Sequence, residues 1–292
     1  MEEKIKRGLS RPSLINVLDR IKTDDAFLGK THSNMAIALY LLFLAFFPSH
    51  FYKMLGSESL SLVLVSILII YGASRLPDLD NTRSSAISAL GVVGSILSDL
   101  MRSMSTAIFH ITKTKYDKSD SSGNPHRGFF HTALSAVGLF FLINFTTKIP
   151  GKVGSYTTGE IFVAFWVFIC VQIALSSLFE KKYRKNKNKM GTVGILINTL
   201  ISALCSFLVI VSTQGHDNQW LAFAISFGYL AHIFGDTLTV SGTPLLFPIR
   251  IKGKRWFNIR LARFQAGGDL EKIVVAPVFF IIAVLALIKV FV

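Results

Sequence analysis

A chain of 292 residues that is 51% hydrophobic and only 16% charged, with a mean hydropathy of +0.51, is too apolar for an ordinary soluble domain. Its net charge of +14 fits nucleic acid, anionic lipid or the positive-inside bias of a membrane protein, so the position of the charges must decide. Cys170 and Cys205 each lie inside an apolar block without a CxxC neighbour, which excludes a disulfide framework and a thiolate zinc site.

Residues 1–33 are polar and contain no apolar core of signal-peptide length, so we expect a cytoplasmic segment without a cleaved leader. Near its end His32 follows Gly29, Lys30 and Thr31. Apolar blocks then run at 34–55, 60–76, 128–147, 161–178, 192–213, 219–241 and 272–292. Each approaches the roughly 20 residues that a helix needs to cross the hydrocarbon core. The expected fold is therefore all-α: a polytopic transmembrane helical bundle of about seven spans. Residues 34–292 form a single transmembrane domain that carries the candidate site. The stretch 86–112 mixes small and apolar residues with Asp99, Arg102, His110 and Lys113, the composition of a re-entrant or interfacial amphipathic helix.

Between these blocks stand short runs of chemistry-bearing residues. Leu76-Pro77-Asp78-Leu79-Asp80 closes the second span; proline should end the helix and set an extended segment in which both carboxylates face one cation. Pro125-His126-Arg127-Gly128-Phe129-Phe130-His131 opens the third, with one histidine before the helix, one about a turn into it, and a planar guanidinium between them. Near the end of the sixth, His232 and Asp236 at i and i+4 share a helix face, which Thr239 continues. Ionisable groups inside a span are costly and mark function by default, although a buried hydrogen-bonded His–Asp pair is the structural alternative. Glu271 opens the last span after Gly267, Gly268 and Asp269.

Lysine and arginine fix the orientation, because cytoplasmic loops retain them. With the N-terminus in the cytoplasm, 27 of the 31 basic residues fall on that side, and only Lys53, Lys148, Lys152 and Lys289 fall opposite. The run Lys181, Lys182, Arg184, Lys185, Lys187, Lys189 reads as a topology anchor on anionic lipid headgroups; no aromatic interleaving supports nucleic acid. All the runs described above then gather at the cytoplasmic ends of the spans. Nitrogen and oxygen ligands without thiolate suit zinc, manganese or another first-row divalent ion, one or two in number. Paired ions favour phosphoester chemistry, since one acidifies water while the other stabilises the leaving group.

Thr31-His32, Leu76 to Asp80, His126 to His131, His232 to Asp236 with Thr237, and the glycine-rich segment ending in Glu271 together resemble the YdjM-like bacterial inner-membrane proteins. That family is described as metal-dependent hydrolases, some under SOS-repressor control, and is more distantly similar to zinc-dependent phospholipase C and P1-type nucleases. The resemblance implies a metal-dependent hydrolase of the bacterial cytoplasmic (inner) membrane, acting on a phosphoester or phospholipid headgroup. His32, Asp78, Asp80, His126, His131, His232 and Asp236 would bind the metal, Glu271 would be ligand or general base, and Arg127 would steady the anionic group. A divalent-ion transporter and a non-catalytic, stress-induced membrane protein are the alternatives that the same residues leave open.

Overall fold

The computed structural model describes residues 29–47, 60–82, 84–117, 127–185, 190–213, 218–262 and 268–291. Among them are eight α-helices: α1 (Gly29–Phe46), α2 (Leu60–Ala73), α3 (Ser85–Thr112), α4 (Ala133–Thr147), α5 (Thr158–Lys185), α6 (Met190–Thr213), α7 (Gln219–Thr237) and α8 (Ala276–Phe291). A two-residue hairpin, Lys152–Val153 against Tyr156–Thr157, joins α4 to α5. The all-α class is thus established.

α7 is the central helix: thirteen of its 19 residues are buried, and it packs against α1, α2 and α4. α2 also packs on α5, α5 on α6, and α8 on α1. Close approach depends on small residues, and a Cβ at Gly72 would overlap the Cys170 carbonyl of α5. On the outer helices the apolar residues face outward. Leu196, Leu200, Leu204 and Leu208 of α6 and Phe280, Leu285 and Ile288 of α8 are all exposed, as a helix facing lipid requires.

Five helices are long and apolar enough to cross a membrane: Leu62–Asp80, Ser85–Thr112, Thr158–Leu178, Val193–Thr213 and Glu271–Val290. The expected count of seven is not reproduced by this measure, for identifiable reasons. α4 begins at Ala133 instead of 128 and has 15 residues, about 22 Å of helix against a core of about 30 Å. α1 and α7 carry polar residues where they meet the site, among them Thr31, His32, Ser33, His232 and Asp236, which dilute their hydropathy.

Three local expectations are corrected. α1 starts at Gly29, so the boundary expected at 33–34 falls inside a helix and His32 lies within its first turns. Leu76 is helical (φ −62°, ψ −39°), and Pro77–Asp80 form a 3-10 turn in place of an extended segment. Proline at the first position of a short helix loses no hydrogen bond, because that N–H has no partner there in any case. His131 is the last residue of another 3-10 turn, Phe129–His131, and Thr132 caps the following helix by accepting from Ser135 N at 3.1 Å.

α3 is continuous over 28 residues apart from a break at Gly91 (φ 58°, ψ −129°). Its first residue, Ser85, contacts Arg75 at the end of α2, and Ser105, twenty residues on, accepts from Phe129 N at 2.9 Å. Both anchor points belong to the end of the bundle that holds the two 3-10 turns. Beyond α3, Phe109, Phe247 and Trp256 form a small second core, tied down by Asp117, which accepts from the backbone N–H groups of Thr114, Arg255 and Trp256.

Candidate metal centre

The two 3-10 turns, α1 and α7 converge on one point. α2 unwinds through Arg75 and Leu76, whose N–H groups reach back to the Gly72 and Ala73 carbonyls, and the Pro77 turn follows at once. This swings Asp78 and Asp80 across the end of α7. The second turn is fixed from below by Tyr229 of α7, whose hydroxyl donates to the Phe130 carbonyl at 2.6 Å. α1 comes close to α7 because position 235 is glycine; a Cβ there would stand 2.7 Å from Nδ1 of His32 and 2.5 Å from Cε of Met35.

Asp236 is the hub. Its Oδ1 lies 3.4 Å from His32 Nε2, and its Oδ2 lies 3.4 Å from His131 Nε2 and 3.5 Å from His232 Nε2. The other face of His232 Nε2 meets Asp78 Oδ1 at 3.5 Å. The rings of His32 and His232 stack with centroids 4.0 Å apart. His32, His131, His232 and Asp236 are buried, whereas Asp78 is 19% exposed and connects the cluster to the outside.

These separations test the fit of a metal ion. Ligand atoms bound at about 2.0–2.1 Å around a tetrahedral ion stand roughly 3.3 Å apart. The observed edges of 3.4–3.5 Å match that value and exceed ordinary N–H···O hydrogen bonds. Neither ring nitrogen of His232, nor Oδ2 of Asp236, has a hydrogen-bond partner among the described residues. Buried polar atoms are seldom left so, and a cation would satisfy them. Among the described residues two sets of ligand atoms lie mutually within 4.8 Å, His32–His232–Asp236 and Asp78–His131–His232, and they share His232.

Asp80, expected as a ligand, is in neither set. Its Oδ2 lies 3.2 Å from Nδ1 of His131 and accepts the backbone N–H of Arg127 at 3.3 Å. That is the carboxylate–imidazole arrangement that fixes the tautomer and aims Nε2 at the centre. Arg127, expected to steady an anionic group, gives NH2 to Asp236 Oδ1 at 3.0 Å and NH1 to Thr239 Oγ1 at 3.1 Å. Its φ of 66° is unusual for a non-glycine residue and is held by those bonds on both backbone and side chain. Glu271 is fully buried and opens a π-helical turn, Glu271–Val275, ahead of α8. Lys289 Nζ sits 4.2 Å over the Phe46 ring, so α8 runs parallel to α1 and Glu271 lies at the His32 end. His126 lies outside the described residues.

Sequence reasoning missed Tyr229 and Ser105, which position the His131 turn, and the contact of Asp80 with His131. A tyrosine three residues before His232 on a central helix was the available signal for the first.

Fold and site together define a helical membrane protein with a buried histidine–aspartate cluster able to hold a metal ion. The family model for the YdjM inner membrane protein matches residues 27–180 and 193–291, and the chain belongs to that family. No curated protein matches the chain, and no solved structure does.

Proposed function

We propose that this protein is an integral membrane metal-dependent hydrolase whose substrate is a phosphoester, soluble or in a phospholipid headgroup. The carrying observation is the meeting of three buried imidazoles with the Asp78 and Asp236 carboxylates at metal-ligand spacing. His32, His131, His232, Asp78 and Asp236 would hold the ion, zinc or manganese by donor type. Because both ligand sets share His232, a single centre accounts for them. A divalent ion there supplies a Lewis acid that polarises a phosphoryl oxygen and acidifies water. Asp80 keeps His131 in the ligating tautomer, and Arg127 holds Asp236 by the oxygen that also faces His32, leaving Oδ2 to His131 and His232. Glu271 is the candidate general base.

Placement of the site at the cytoplasmic face of the inner membrane is supported by the sequence distribution of the basic residues, 27 of 31 of which fall in the segments that the order of spans assigns to the cytoplasm. The reading of α3 as an interfacial helix is supported by its three faces. Val93, Ile96, Leu100 and Met104 form an exposed apolar stripe; Asp99, Ser103, Thr106 and His110 form an exposed polar one; Gly94, Ser98, Ser105 and Phe109 are buried against the bundle. A helix with lipid on one side, water on another and protein beneath has this pattern.

The test is turnover of phosphatidate, other phospholipids and soluble phosphodiesters by the purified chain with added zinc or manganese, beside His131→Ala. We expect hydrolysis of one class by wild type and none by the variant. Absence of turnover of every ester under both metals, or equal turnover by the variant, refutes the reading.

A further inference from the structure

Away from the metal centre, the small core of Phe109, Phe247 and Trp256 holds residues 246–255 against the end of α3. Arg255 NH1 donates to the Thr112 carbonyl at 2.9 Å, Trp256 Nε1 to Thr112 Oγ1 at 3.0 Å, and Thr114 Oγ1 to the Gly253 carbonyl at 2.9 Å. Ile251 and Lys254 exchange backbone hydrogen bonds of 2.8 and 3.0 Å around a two-residue turn, in which Lys252 (φ 50°) and Gly253 (φ 81°) both have positive φ. Asparagine or glycine takes the first of these positions at low cost, whereas lysine does not. The turn therefore holds an exposed cation at its tip against backbone preference.

This surface is apolar and basic at once. Ile111, 83% exposed, continues the apolar stripe of α3 seven residues beyond Met104, and Ile249 is 60% exposed with Leu246 exposed near it. Lys113, Arg250 and Lys252 are exposed among them, and no carboxylate among the described residues pairs with any of the three. Residues 241–262 contain five basic residues and no acid, and Asp117 beside them is buried and turned onto backbone N–H groups. The helix dipole accounts for a lysine just past the end of α3, but Arg250 and Lys252 belong to no helix. Aliphatic side chains interleaved with unpaired cations complement an anionic bilayer surface, where acyl chains take the first and headgroup phosphates the second. A soluble acidic partner would match the charge, but it would not explain isoleucines standing in continuation of a lipid-facing stripe.

We propose that residues 246–253 and the end of α3 form a docking platform for anionic phospholipid, distinct from the Lys181 to Lys189 run. The Phe247 ring packs on Phe129, two residues before His131, with centroids 6.1 Å apart, and the Leu245 carbonyl accepts the Ala133 N–H at 2.9 Å. Lipid seated here therefore adjoins the turn that carries His131. The assignment rests on the reading of α3 as an interfacial helix and is independent of hydrolysis.

The test uses the full chain in neutral detergent micelles titrated with phosphatidylglycerol. An environment-sensitive dye is attached to Ile249→Cys in a Cys205→Ala background, Cys170 being fully buried. Its emission should move to the blue saturably, and added salt should weaken the response. Lys113→Gln with Arg250→Gln and Lys252→Asn should raise half-saturation at least about tenfold, since each cation near an anionic surface contributes roughly fivefold. Lys252→Asn alone suits the turn better, so its thermal midpoint should hold or rise while lipid binding weakens about fivefold; a lysine with only a structural role would leave binding unchanged. Neutralising Lys181, Lys182, Arg184 and Lys185 should leave the Ile249 response intact. A dye on Ile96→Cys should report an apolar setting with or without phosphatidylglycerol, and aqueous emission there overturns the interfacial reading of α3 and the platform with it. An immersed Ile96 with no phosphatidylglycerol response at Ile249, or a triple variant responding as wild type, overturns the platform alone. Saturable binding of RNA or an acidic peptide in phosphatidylglycerol micelles, lost in the triple variant, also overturns it, because the face would then serve a soluble partner.

Discussion

Replacing Asp236 by asparagine removes one charge from the point where four cationic or imidazole groups meet. The Arg127–Asp236 contact at 3.0 Å is worth about 5 kcal/mol of gross attraction at an effective dielectric of about 20. Desolvation offsets much of that in the intact pair, but breaking a buried pair leaves the remaining charge uncompensated. Because the amide oxygen still accepts from Arg127, the net destabilisation of the metal-free protein should be about 2–4 kcal/mol. Metal affinity should fall further, by more than the ~10- to 100-fold that loss of an outer partner produces, since a neutral amide replaces an anionic ligand facing three imidazoles. A double variant, Arg127→Gln with Asp236→Asn, separates the two effects. It leaves no unpaired charge, so stability should recover in part while metal affinity stays low. Thermal midpoints in detergent and competition against a chromophoric zinc chelator measure the pair. Wild-type zinc affinity in Asp236→Asn, with or without a loss of stability, would refute the ligand assignment.

Asp80→Asn should lower zinc affinity about 10- to 100-fold with every direct ligand in place, because Asp80 acts through His131; an unchanged affinity contradicts that role. Burial raises the Asp117 carboxyl, but hydrogen bonds from Thr114, Trp256 and Arg255 outweigh it and hold its pKa below the usual value. Its stabilisation is therefore present above the unfolded pKa of about 3.9 and lost as pH falls through the folded one, so Trp256 fluorescence should report loosening of this small core only in acid. Loosening on raising the pH instead would contradict the sign. Accessibility tags after Lys185 and after Lys254 should be cytoplasmic and one at Lys152 periplasmic; the reverse pattern would place the site on the other face.

Hydropathy carried most of the bundle, because the polar residues that α2, α5 and α6 bury within their apolar runs, Gln172 and Asn198 among them, are uncharged and isolated and leave the runs intact. The residues that meet at the centre were legible for a related reason: His232 and Asp236 stand out inside an apolar helix, and Asp78 and Asp80 at the end of one. How each acts was not legible. Spacing cannot tell a 3-10 turn at Pro77 from an extended segment, and that turn is what sends Asp78 to His232 and Asp80 to His131. Nor does sequence show that Arg127 adopts φ 66° and turns its guanidinium onto Asp236, since long-range contacts to Asp80 and Thr239 hold it there. Arg75 was counted only as a positive charge at the end of a span. Its burial beside Ser33 and Gly29 comes from helix packing.

The central claim, that this histidine–aspartate cluster is a metal site, is tested most directly by elemental analysis of the purified full chain beside His232→Ala, because His232 belongs to both ligand sets. The account predicts a first-row divalent ion in wild type, near one per chain, and its loss from the variant while the helical content is retained. Equal metal content in the two proteins, or none in wild type after purification without chelator and with zinc and manganese supplied, would contradict it.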